Sequence, residues 1–150
     1  KKAYPHTPEA PQGVEFVAPV KNLGPDGCKP ERPGFTFHPH SSPAGMVWLN
    51  DRWPASVRNG FLIGRFGNLL KLPGDEDVGF DVLSVKPEKD SQGRWQARTH
   101  TFLAPLGRPI DIQLVGGKIL VLEYTRPTNF KDQRGWLPGR ILELTPTRAH

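Results

Sequence analysis

Gly107-Arg108-Pro109-Ile110-Asp111-Ile112-Gln113-Leu114-Val115-Gly116-Gly117-Lys118-Ile119-Leu120-Val121-Leu122-Glu123-Tyr124 decides the fold class. Ile110, Ile112 and Leu114 recur at every second position, the period of a strand with one covered face. Gly116-Gly117 is a two-residue hairpin signal, because a tight turn of that length places both central residues at positive φ. Lys118–Tyr124 follows as an apolar run too short for a helix and suited to a buried strand.

The same grammar extends in both directions. Downstream, a loop over Thr125–Pro138 leads to a further strand at Gly139–Leu144. Upstream, Gly45–Leu49 reads as a buried strand, Asn50–Pro54 as a turn and Gly60–Phe66 as a second buried strand. Asn68–Leu72 starts a third, which resumes at Phe80–Val85 after the acidic turn Gly74-Asp75-Glu76-Asp77. Lys86–Gly93, with Pro87 and Gly93, reads as a polar hairpin turn. Trp95–Leu103 alternates with period two and has one more exposed side.

Four strands are thus followed by three. Each set opens on a Pro/Gly motif, Ser42-Pro43-Ala44-Gly45 or Gly107-Arg108-Pro109. Each has a basic-plus-leucine run on its third strand, Leu70-Lys71-Leu72 or Arg140-Ile141-Leu142. Antiparallel four-strand units repeating at roughly 40–50 residues are the pattern of propeller blades, and a closed ring takes about 4–8 of them. The chain is therefore expected to be all-β, as the C-terminal part of a longer propeller or as a small β-sandwich that repeats.

Composition agrees. Among 150 residues there are 16 Gly and 17 Pro, too many for a helical bundle, since each Pro inside a helix costs about 3 kcal/mol and each Gly about 1. No apolar run approaches the roughly 18–20 residues of a membrane helix. Nine prolines fall in the first 43 residues, which excludes a sheet interior there. That segment reads as an extended strap, with a short strand at Val14–Val20 and Phe16, Val17, Phe35 and Phe37 to dock it. The organisation expected is a strap over 1–43, a four-stranded blade over 44–104 and a final blade lacking one strand over 105–150.

The net charge is +5, but the basic residues are scattered singly, so a solvated surface is expected rather than nucleic-acid binding. Cys28 is the only cysteine, which excludes an internal disulfide and a Cys-rich metal site. The start at Lys1-Lys2-Ala3-Tyr4, without a signal peptide or initiator Met, reads as a trimmed mature chain or a piece of a longer one.

Three stretches taken in order carry a family resemblance. They are His40-Ser41-Ser42-Pro43-Ala44-Gly45-Met46 with Arg52-Trp53-Pro54 and Asn59-Gly60-Phe61-Leu62-Ile63-Gly64; Leu106-Gly107-Arg108-Pro109-Ile110-Asp111-Ile112; and Gly117–Leu122 closing with Pro138-Gly139-Arg140-Ile141-Leu142-Glu143-Leu144. Over roughly Phe37–Leu144 the chain resembles the last two blades of the glucose/sorbosone dehydrogenase family. Those are six-bladed propellers, soluble or periplasmic, that typically bind pyrroloquinoline quinone (PQQ), usually with calcium, and oxidise sugars by hydride transfer to the quinone.

The resemblance implies a quinoprotein sugar or aldose dehydrogenase, periplasmic or extracellular, whose other blades come from the same precursor or another chain. The family's catalytic base lies in an earlier blade, outside this chain. Arg108 stands where the family has an arginine before its inner strand, and a guanidinium suits a carboxylate. Arg65 lies near a family lysine, with this chain two residues shorter there; Ile110 occupies the place of a second arginine. His40 matches a family histidine that lines the central cavity. The implied cofactor contacts are thus Arg108, Arg65 and His40, with no metal ligand assigned.

Each residue also has a plainer reading. In it, Arg108 caps its loop and pairs with Asp111, Arg65 is a surface charge, and His40 bonds a neighbouring backbone group. His38 and His40 flank Pro39 without a third metal ligand nearby. A buried Glu123 must be paired or protonated. The tryptophans Trp48, Trp53, Trp95 and Trp136 are expected to pack between blades. Two other functions stay open: a cofactor-free propeller serving as a scaffold or binding module, and a small independent β domain binding an anionic partner.

Overall fold

A computed structural model describes residues 11–14, 41–68, 78–125 and 138–145. The chain is all-β in these residues: seven antiparallel strands in two sheets, with no α-helix among them. The strands are β1 (Pro43–Leu49), β2 (Gly60–Arg65), β3 (Asp81–Lys89), β4 (Trp95–Leu103), β5 (Pro109–Val115), β6 (Lys118–Thr125) and β7 (Pro138–Leu144). β1-β2-β3-β4 form one meander and β5-β6-β7 the other. No described helix is long and apolar enough to cross a membrane.

Most strand expectations hold. Gly116 and Gly117 both take positive φ, 57° and 80°, and close the β5–β6 hairpin in two residues. Trp95–Leu103 is a strand over its full expected length. Two readings need correction. Pro87 lies inside β3, opposite Ala97, and the turn is confined to the residues after Lys89. β2 pairs with β3 only as far as Val85, and beyond it no described residue pairs with that edge of β3, where a residue without an N–H is tolerated. The Leu70-Lys71-Leu72 run lies outside the described residues, as do most of the strap, Cys28, His38, His40, Asp75–Asp77 and Trp136; by register, β3 is the counterpart of β7. Val14, placed at the head of an expected strand, instead ends a turn, donating to Pro11 O at 2.9 Å.

The two sheets repeat each other in register. β1 and β2 set Pro43 opposite Arg65, Met46 opposite Ile63 and Trp48 opposite Phe61. β5 and β6 set Pro109 opposite Glu123, Ile112 opposite Val121 and Leu114 opposite Ile119. Both hairpins shift register just after the proline. The third strands continue the match: Asp81 lies opposite Arg65, and Arg140 opposite Glu123.

β5 packs against β1 and β2, so one face of the second sheet covers one face of the first. Leu49, Leu62 and Val82 of the first meet Ile112, Ile119 and Val121 of the second, with Val57 and Leu106 filling the ends. Full burial of such a side chain contributes about 1.5–3 kcal/mol. Glycine sets the spacing. A Cβ on Gly45 would lie against Ile112 N and 2.6 Å from Asp111 Cα, and one on Gly64 would come within 3.3 Å of Pro109 Cβ.

The β3–β4 turn is built around Asp90. Its carboxylate accepts from Gln92 N (2.9 Å), Arg94 N (2.9 Å), Arg94 Nε (2.8 Å) and Gln96 Nε2 (3.1 Å). The Arg94 amide above all, then the Arg94 and Gln96 side chains and the Gln92 amide, hold the Asp90 carboxyl well below the usual carboxylate range. A depressed folded pKa contributes stability above the unfolded value, near 3.8, that is lost as pH falls through the folded one. Asp90→Ala is expected to lower Tm by roughly 2–4 °C at neutral pH. The difference from wild type should shrink steadily below pH 3.8 in thermal melts. A constant difference down to the lowest accessible pH would show that the carboxylate's charge is not what holds the turn.

Candidate functional site

The repeat places the starts of β1, β3, β5 and β7 and the ends of β2 and β6 at one end of the two sheets. Arg65 and Arg108, two of the three residues singled out from sequence, meet there; His40 lies outside the described residues. Backbone bonds tie the connections together. Phe66 N donates to Ser42 O (3.0 Å), Gly67 N to Ser41 O (2.9 Å), Phe80 N to Arg65 O (3.0 Å) and Leu106 N to Phe80 O (2.7 Å).

Arg108 is the centre of this end and is only 2% exposed. Its guanidinium carbon lies 4.9 Å from the Phe66 ring centroid and 4.8 Å from that of Phe80, a cation between two aromatic faces. Its Nη1 donates to Asn68 O at 3.2 Å and, more weakly, to Phe66 O at 3.5 Å. Its own carbonyl accepts from Tyr124 N at 2.8 Å. Phe80 takes φ 60°, a left-handed conformation rarely adopted by a bulky side chain. Gly67 (φ 94°) and Gly79 (φ 92°) make room beside it: a Cβ on Gly67 would meet the Phe80 ring at 2.7 Å, and one on Gly79 would meet Gly67 Cα at 2.5 Å.

Two ion pairs flank Arg108. Arg65 grips Asp81 bidentately, Nε to Oδ1 at 2.7 Å and Nη2 to Oδ2 at 2.5 Å. Glu123, fully buried, accepts from Gly107 N through Oε1 at 2.5 Å and from Arg140 Nε through Oε2. The expectation that a buried Glu123 must be paired is met. Asp111, the alternative partner weighed for Arg108, accepts from its neighbour Ile112 N (2.8 Å) and from Gln113 Nε2 (3.0 Å).

Sequence reading singled out both arginines but missed Asp81 and the Phe66–Phe80 sandwich. Asp81 is 16 positions from Arg65, and only the β2–β3 register brings them together. Of the tryptophans, Trp53 packs against the core. Trp48 lies edge-on to Phe61 at 4.7 Å with much of its surface exposed, and Lys89 Nζ lies 5.1 Å from the ring of exposed Trp95.

These groups hold charge and shape; none is arranged as a nucleophile with its base. Among the described residues no three His, Cys, Asp or Glu side chains come together as a metal site. A cofactor with three carboxylates needs open guanidinium forks. Arg108 is enclosed between rings, and the fork of Arg65 is occupied by Asp81. The described residues do not fit such a group by themselves, so its carboxylates would be held chiefly by residues outside this set. No family model, curated protein or solved structure matches the chain.

Proposed function

We propose that this chain forms two consecutive blades of a six-bladed propeller of the glucose/sorbosone dehydrogenase type, part of a PQQ-dependent sugar or aldose dehydrogenase acting in the periplasm or outside the cell. The observation that carries this reading is the register repeat between the two meanders, with the second laid on the first through β5. A β-sandwich arises without its two sheets matching residue for residue, whereas successive blades repeat one supersecondary unit. The remaining blades, with the base that acts on the sugar, belong to the same precursor or another chain. In this chain Arg108 stiffens the end wall of the two blades.

A second reading is favoured by the engagement of Arg65 with Asp81 and of Arg108 with Phe66 and Phe80. It is a propeller of the same design that holds no quinone and serves as a scaffold or binding module. The test is the absorbance of the purified full-length protein after adding PQQ and calcium, then a sugar. A quinone band that bleaches with sugar supports the dehydrogenase. No uptake by the folded protein overturns it and leaves the scaffold. In either case Arg108→Gln is expected to lower folding stability by about 2–3 kcal/mol, from lost charged hydrogen bonds and ring contacts, in urea titrations. An unchanged midpoint would remove Arg108 from the wall.

A further inference from the structure

The outer face of the first sheet, turned away from the second, is buried unevenly. Met46, Ile63, Leu83 and Thr101 form one row across it, from β1 to β4. Leu83 is only 5% exposed, although the second sheet packs on the opposite face and the core between the sheets does not include it. Its row neighbours are more open: Ile63 is half-buried, Thr101 is exposed and Met46 is 56% exposed. Strands lie about 4.8 Å apart, so a cover that closes over β3 and leaves β1 and β4 open is about one chain wide. A packed sheet covers several neighbouring strands at once and does not leave this gradient.

We infer that the cover is this chain's own N-terminal strap, with Phe35 and Phe37 seated over Leu83. The strap joins the first sheet through Ser41, which is fully buried beside the head of β3. Ser41 O accepts from Gly67 N at 2.9 Å and lies 3.1 Å from the place of a Cβ on Gly79. Leu83 comes four residues after Gly79, and Phe37 four residues before Ser41. At about 3.3 Å per extended residue each span is about 13 Å, so a strap running back along β3 brings Phe37 to Leu83. Phe35 and Phe37, two positions apart, share one side of an extended chain. Pro33 and Pro39 fix φ on either side of them and keep the segment out of a helix. The connection over 69–77 is the other leucine-bearing segment at this end, but its base is drawn to the second sheet, where Asn68 O accepts from Arg108 Nη1 at 3.2 Å. Met46 and Trp48 stay clear of the strap, so a neighbouring blade can still meet the β1 side of this face.

The experiment is a double-mutant cycle on the full chain, read as urea midpoints. Its members are Leu83→Ala, the strap variant Phe35→Ala/Phe37→Ala, and the two combined. Leu83→Ala and the strap variant should each lower the midpoint. The combination should lower it by clearly less than the two shifts added, because the second change removes a contact already lost. Shifts that simply add overturn the inference, as does a strap variant with an unchanged midpoint. A second cycle pairs Leu83→Ala with Leu70→Ala/Leu72→Ala in the 69–77 connection, and there the shifts should add. Coupling to that connection in place of the strap also overturns the inference. Should Leu83→Ala fail to fold, Leu83→Val runs the same two cycles. Both cycles read folding alone, so the quinone test of the dehydrogenase reading is judged separately.

Discussion

Gly45→Val is expected to abolish folding of the two-sheet unit, and Gly45→Ala to cost about 3 kcal/mol or more. Inserting a methyl into a packed core typically costs about 1–3 kcal/mol, because neighbouring side chains shift. At Gly45 the atoms in the way are the Ile112 amide and the Asp111 Cα, which are backbone and cannot rotate aside. The cost is then the retreat of β5 from β1, which uncovers Ile112 and loosens Leu49 and Leu62 beneath it. Urea unfolding followed by tryptophan fluorescence checks this, since Trp53 reports on the core. A midpoint for Gly45→Ala equivalent to less than about 0.5 kcal/mol would put the variant among ordinary surface changes and show that the sheets do not touch there.

Glu123→Ala should be the next largest loss, about 2–3 kcal/mol. Breaking a buried ion pair costs about 3–5 kcal/mol, and the partial exposure of Arg140 reduces that because water can take over its guanidinium. The Gly107 amide has no such relief, being bonded to Glu123 in a buried contact. Glu123→Gln keeps an oxygen for that amide and gives up the charge facing Arg140, so it should fall between wild type and Ala. The order wild type, Gln, Ala in urea midpoints is the expected result. Equal losses for Gln and Ala would mean that the amide bond contributes nothing and the pair with Arg140 everything.

The strands were legible because their signals are local. Alternation over Trp95–Leu103, the glycine pair at 116–117 and the glycine-bounded run from Gly60 each act within a few residues. Pro87 misled for a physical reason: a proline in a strand reads as a break, and only the point where β2 stops pairing shows it has an edge to itself. At the site, Arg108 and Glu123 stood out by type and position. Their partners did not, because Phe66 and Phe80 come to Arg108 through the packing of one sheet on the other, across 42 and 28 positions, and Arg140 comes to Glu123 through the β6–β7 register, across 17, and no local pattern encodes either. The plainer reading of Arg65 as a surface charge fails for the same reason, since Asp81 is delivered by β3.

The two ion pairs occupy one register position with their signs exchanged: Arg65 on β2 faces Asp81 on β3, while Glu123 on β6 faces Arg140 on β7. Hairpins of matching register within one polypeptide can trade third strands while folding, a characteristic misassembly of repetitive proteins. Here a trade is penalised at once. β7 laid beside β2 would set Arg140 against Arg65, and β3 laid beside β6 would set Asp81 against Glu123 in a buried place. The reversed polarity lets each hairpin recognise its own third strand, so that sheets alike in shape sort themselves by charge during folding.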